Sequence, residues 1–95
     1  MIITIDSIDS LNNAVLVDIR EEYERENYCL ASALNAPMGT LVDEIDSFSS
    51  SNNYILFCQS GNRSTNLVKL LTAKGHSNFY SLEGGAALLS EKNYK

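Results

Sequence analysis

Apolar residues in this chain come in short blocks separated by polar breaks. Residues 2–5, the run Ala14-Val15-Leu16-Val17, the short Ala33-Leu34-Asn35-Ala36 and the run Tyr54-Ile55-Leu56-Phe57 read as strands. Asn78-Phe79-Tyr80-Ser81-Leu82 reads as the last one. Between them the period changes to that of a helix. Asp6-Ser7 can cap a short helix through Leu11, which Asn12-Asn13 ends. Thr40-Leu41-Val42-Asp43 resembles a capping box; Leu41, Val42, Ile45 and Phe48 then form an apolar face, with Asp43, Glu44 and Asp46 in water. Residues 64–74 carry Leu67, Val68, Leu70 and Leu71 at helical spacing, with Ser64 as N-cap and Gly75 at the C′ position. Gly84-Gly85 makes a tight turn and residues 86–91 a last short helix.

Strands and helices alternate through short connections, and Pro37 stops the third strand. The pattern predicts an α/β domain: a central, short parallel sheet covered by helices on both faces. A chain of 95 residues makes one such domain over 1–95, with no room for two. The stretch from Asp18 to Glu26 is charged and reads as a helical turn on the surface; its glutamates suit a solvated face or a docking surface for a basic partner.

Composition narrows the function. The net charge of −5 argues against nucleic acid or an anionic membrane as partner. The first residues show no basic start followed by a long apolar run, so neither a signal peptide nor a membrane span is expected and the cytoplasm is the default. The two cysteines, Cys29 and Cys58, are expected as free thiols. With one histidine they make a poor metal set, and neither metal nor cofactor is expected.

The chemistry concentrates at Cys58-Gln59-Ser60-Gly61-Asn62-Arg63-Ser64, between a doubly buried strand and a helix start. The carboxyl end of a central strand is where open α/β sheets bind ligands. A free thiol titrates near ~8.5, so only about 3% is thiolate at neutral pH. Lowering that by two units takes about 2.7 kcal/mol of differential stabilisation. A helix amino terminus, a nest of loop N–H groups around Gly61 and the guanidinium of Arg63 are three sources of it. No serine–histidine pair or Gly-Lys-Ser phosphate loop is present.

This loop resembles the active loop of single-domain rhodaneses, the sulfurtransferases. Asp18-Ile19-Arg20-Glu21 and, later, Leu30-Ala31-Ser32-Ala33-Leu34-Asn35-Ala36-Pro37 are similar to a second family block, and Leu82-Glu83-Gly84-Gly85-Ala86 to a third. The likeness spans nearly the whole chain in order. It implies a rhodanese-like domain in which Cys58 takes sulfur from thiosulfate or a related sulfane donor as a persulfide. A thiol, cyanide or a protein acceptor then receives it. The backbone of Gln59, Ser60, Gly61, Asn62, Arg63 and Ser64 would cradle the sulfur, and Arg63 would bind the anionic donor. Asp18 and Arg20 read as supporting residues at the neighbouring strand end.

Four residues separate Cys58 from Arg63. The related phosphatases and arsenate reductases use a loop one residue longer, so the tighter ring here suits a single sulfur atom. A rhodanese-fold module that carries sulfur or binds a partner without efficient turnover is the alternative. Arg63 is open to a second reading, as partner of a carboxylate such as Asp18. Cys29 reads as a bystander or a resolving thiol, and His76 as part of a surface turn. Ala31-Ser32 replaces the family's Pro-Gly, and Leu89 stands where many relatives carry tryptophan. These two changes bear on packing more than on the nucleophile, though they could loosen one wall of the site.

Overall fold

A computed structural model describes residues 1–94. Five parallel strands form one sheet: β1 (Ile2–Ile3), β2 (Ala14–Asp18), β3 (Leu34–Asn35), β4 (Asn53–Phe57) and β5 (Phe79–Leu82). Three α-helices accompany them: α1 (Met38–Asp43), α2 (Asn62–Ala73) and α3 (Gly85–Glu91). The strand order is β1-β5-β4-β2-β3. Strand β2 leads outward to β3 on one side, while β4 leads to β5 on the other. The crevice beyond the carboxyl ends of β2 and β4 is therefore the point where the winding reverses, the usual ligand position of such sheets.

The apolar run in β4 divides between two cores. Tyr54 and Leu56 pack on one face with Val17, Leu41, Leu67, Val68, Leu71 and Phe79. Ile55 and Phe57 pack on the other with Ile8, Leu30, Leu82, Ala86 and Leu89. A strand buried on both faces needs no alternation, so it reads as a continuous apolar block. Tyr54 stacks on Phe79 at 5.4 Å and meets Phe48 edge-on at 4.9 Å, closing the first core at its rim. Leu89 is fully buried and packs in the second core. The Leu30–Ala33 turn also closes without the Pro-Gly pair, through the Ala33 N–H donating to the Leu30 carbonyl at 3.1 Å.

Several local expectations are corrected. The first strand is only Ile2–Ile3, because Ile5–Ser10 winds into a 3-10 helix, not an α-helix. Helix α1 begins at Met38 behind Pro37, not at Thr40; the Thr40 side chain makes no capping bond, and the helix gives way to a 3-10 turn at Ile45–Ser47. Val42 and Leu70 are exposed, whereas Leu41, Leu67, Val68 and Leu71 are buried. The charged stretch is at the surface only from Glu21 onward, since Asp18, Ile19 and Arg20 are buried. Ser64 does not cap α2, which starts three residues after Cys58–Gln59, behind Gly61. At the other end Gly75 does serve as C′: its N–H donates to Thr72 O at 3.0 Å and the His76 N–H to Leu71 O at 3.0 Å, a Schellman motif.

Candidate active site

Strand β4 delivers Cys58 to the crevice, and the next three residues turn the chain into α2. Gly61 makes that turn possible. Its φ of +103° lies in the left-handed region, which costs a side-chain-bearing residue strain. In this conformation the Gly61 N–H points back at Cys58 Sγ, 3.1 Å away, and the Ser64 N–H reaches the same sulfur at 3.5 Å. The loop's outward carbonyls are held from behind. Ala86 N–H donates to Cys58 O at 2.8 Å and Ala87 N–H to Gln59 O at 2.9 Å. Gly85 permits that approach, because a Cβ there would overlap the Cys58 carbonyl oxygen. The Gly84-Gly85 turn thus packs directly on the cysteine loop, as its neighbour in the fold.

Burial pushes the Cys58 thiol up, and four donors outweigh it: the Ser64 N–H, the Ser64 hydroxyl, and the N–H groups of Gly61 and Ser60. The net direction is below the ordinary thiol value, which favours thiolate. In the thiol form Sγ donates to Ser64 Oγ at 3.7 Å. Ser64 Oγ in turn meets Ser81 Oγ at 2.7 Å, and Thr65 Oγ1 meets Ser81 Oγ at 3.0 Å. These hydroxyls form a buried chain beneath the sulfur, with Ser64 and Ser81 almost wholly enclosed. A hydroxyl has one proton, so with Thr65 donating to Ser81 and Ser81 to Ser64, the Ser64 proton, which goes to the Gly61 carbonyl at 3.2 Å, has only to turn to reach a thiolate.

This arrangement predicts a pH profile. In a Cys29→Ser background, alkylation of Cys58 by iodoacetamide should reach half its plateau below the midpoint of a free thiol, and Ser64→Ala should move that midpoint upward. A midpoint at or above the ordinary thiol value contradicts it. The sign for stability follows. The folded value is the lower one, so the thiolate's contribution is full above the unfolded value and fades as pH falls through the folded one.

Asp18 and Arg20 hold the neighbouring strand end. Arg20 and Asp18 form a buried pair at 2.8 Å, doubled by Arg20 Nε to Asp18 Oδ1 at 3.0 Å. The rest of the guanidinium donates to Tyr28 O at 2.8 Å, Glu24 O at 3.0 Å and Gln59 Oε1 at 3.1 Å. Arg20 thereby ties the charged segment to the side chain next to Cys58. Gln59, Ser60 and Asn62 are exposed at the loop's rim. Gln59 and Arg20, with Glu24, Asn27, Tyr28, Ala86, Ala87 and Ser90, line an open cleft of about 370 Å³ beside the loop.

Arg63 pairs with a carboxylate, but that carboxylate is Glu24 and not Asp18. Its two terminal nitrogens grip the Glu24 oxygens at 2.9 and 2.6 Å. This bond to Arg63 holds the Glu24 carboxyl down at about 2 against the opposing effect of burial. The pair also raises Arg63, with a further contribution from the nearby Cys58.

Glu24, Ser81 and Thr65 are the site residues that the sequence did not single out. Ser81 carried a usable signal, a lone serine inside the strand Phe79–Leu82. Cys29 is exposed and lies against Tyr28, Leu30, Ala31, Asn93 and Tyr94 in a separate hollow. Among the described residues no cluster of three or more His, Cys, Asp or Glu side chains could hold a metal. No helix there is long and apolar enough to cross a membrane.

The Rhodanese-like domain family model matches residues 5–92. A protein of Bacillus subtilis (strain 168) named "Putative sulfurtransferase YtwF" is 28% identical over 80 residues, covering 84% of this chain and 77% of its own. Two solved structures share the architecture. A rhodanese-related protein from Thermoplasma volcanium matches with a TM-score of 0.78 at 27% identity, over 95% of this chain and 86% of that one. A rhodanese-like domain protein from Staphylococcus aureus matches with a TM-score of 0.74 at 30% identity, over 88% of this chain and 85% of that one.

Proposed function

Because this chain belongs to the rhodanese-like domain family, we propose that it is a sulfurtransferase whose Cys58 carries sulfane sulfur as a persulfide. One observation supports this above the others: backbone N–H groups of the turn and of the first turn of α2 converge on a single buried sulfur at the reversal point of the sheet. A ring that tight fits one sulfur anion, and once the sulfur is ionised the Ser64 hydroxyl can turn to donate to it from below.

In the first half-reaction the Cys58 thiolate attacks the outer sulfur of a donor such as thiosulfate. The new S–S bond forms as the donor's S–S bond breaks, and sulfite leaves with the electron pair. The terminal sulfur of the persulfide then carries the negative charge, and the N–H groups of Ser60, Gly61 and Ser64 are the groups to hold it. In the second half-reaction a thiolate, cyanide or a protein thiol attacks that terminal sulfur, and Cys58 leaves as thiolate. No proton has to move on or off the nucleophile, so a nearby general base is unnecessary.

The two steps share one enzyme form and never a ternary complex. Initial rates with donor and acceptor varied together should therefore give parallel double-reciprocal lines. Intersecting lines would reject the covalent route. In this reading Gln59, Asn62 and Arg63 form the rim that the donor crosses, while Asp18 and Arg20 position the loop.

A further inference from the structure

Both arginines at this loop are already occupied. Arg20 spends its donors on Asp18, Glu24 O, Tyr28 O and Gln59. Arg63, 41% exposed at the rim, has its fork filled by Glu24. A free dianion arriving at Cys58 must therefore displace a bidentate carboxylate or sit beside it. The exposed Glu21, Glu22 and Glu26 on the same segment bring more negative charge, which the segment's one cation, Arg25, does not balance. The Glu24 backbone is itself anchored by Arg20, and its carboxylate accepts from the Glu21 N–H at 2.9 Å, so it is held in place on three sides. Such a carboxylate is a built-in competitor for the anion site.

We propose that Glu24 sets donor preference by withholding Arg63 from free dianions, so that the donor class this site favours is a thiol-borne persulfide over thiosulfate. The inference rests on the persulfide reading of Cys58. With such a donor the Cys58 thiolate attacks the terminal sulfur of R–S–SH. The Cys58 S–S bond forms, the donor's own S–S bond breaks, and R–S⁻ leaves and takes up the proton of the transferred sulfur. The carrier thiol brings at most one negative charge to the rim and needs no free arginine.

Loading of Cys58 is followed by intact mass with two probes, thiosulfate and cysteamine persulfide, whose ammonium group offsets its charge. In Glu24→Gln the ratio of second-order loading rates, thiosulfate over cysteamine persulfide, should rise about fivefold, the scale of one partly exposed ion pair. Glutamine keeps the shape and the contact to the Glu21 N–H, and loading by cysteamine persulfide reports that the site is intact. Adding Arg63→Gln should cancel the rise, because the freed guanidinium causes it. An unchanged ratio in Glu24→Gln overturns the proposal, and so does a rise that survives loss of Arg63. If neither probe loads the wild-type protein, the persulfide reading itself has failed, which is a separate and visible result.

Discussion

Cys58→Ser should abolish sulfur transfer, lowering turnover on the order of 10⁴-fold or more, the scale of removing a covalent nucleophile. A serine hydroxyl stays protonated at neutral pH and attacks sulfur poorly, so the N–H groups of Gly61 and Ser64 would surround an atom that cannot accept the sulfane. The fold should survive. Oxygen is smaller than sulfur, Cys58 sits at the end of β4 and not in its ladder, and a hydroxyl can use the same donors. Steady-state assays together with a urea melt separate the two effects. Activity should vanish while the midpoint moves little. Retained transfer in Cys58→Ser would remove the nucleophile from the account.

The second large effect falls on stability. Arg20→Ala should cost about 3–5 kcal/mol, as measured when one member of a buried ion pair is removed. Arg20 is the bulkiest of the fully enclosed side chains, and it serves four acceptors besides filling space. Its loss leaves the buried Asp18 carboxylate with only the residue-20 N–H, and strands the carbonyls of Glu24 and Tyr28. Domains of this size hold roughly 5–14 kcal/mol in all, so the variant should be marginal or partly unfolded at 25 °C. Chemical denaturation with circular dichroism measures it. A loss below about 1 kcal/mol would mean that water replaces the guanidinium and that the network is not a support for the loop. An Asp18→Asn, Arg20→Met double variant should lose less than the single one, since no charge is left alone.

Much of this was readable from the chain because it depends on local pattern. The four apolar residues of β4, after a polar break, suited a strand buried on both faces, and the glycine and arginine after Cys58 marked a loop with chemistry. The Gly75 terminus was equally local, since a left-handed residue after an apolar helix has few other uses. What escaped depends on contacts distant in sequence. Ser64 looked like a cap because it precedes a helical pattern, but the need to aim N–H groups at Cys58 starts the helix earlier, at Asn62. Its hydroxyl faces inward to the sulfur and to Ser81, seventeen positions away. Glu24 looked like one of several solvated glutamates; its partner Arg63 lies 39 residues later and leaves no mark in the local pattern. The short 3-10 segments at Ile5–Ser10 and Ile45–Ser47 escaped for another reason. Too short to hold themselves, they take their form from the sheet they cover.

The central claim is that sulfur rides on Cys58. The protein is incubated with excess sulfane donor, freed of small molecules and digested without reductant, and the cysteine peptides are weighed. The peptide containing Cys58 should gain one sulfur atom, the peptide containing Cys29 none, and cyanide should return the Cys58 peptide to its original mass. No gain from either thiosulfate or cysteamine persulfide, or a gain confined to Cys29, would contradict the account.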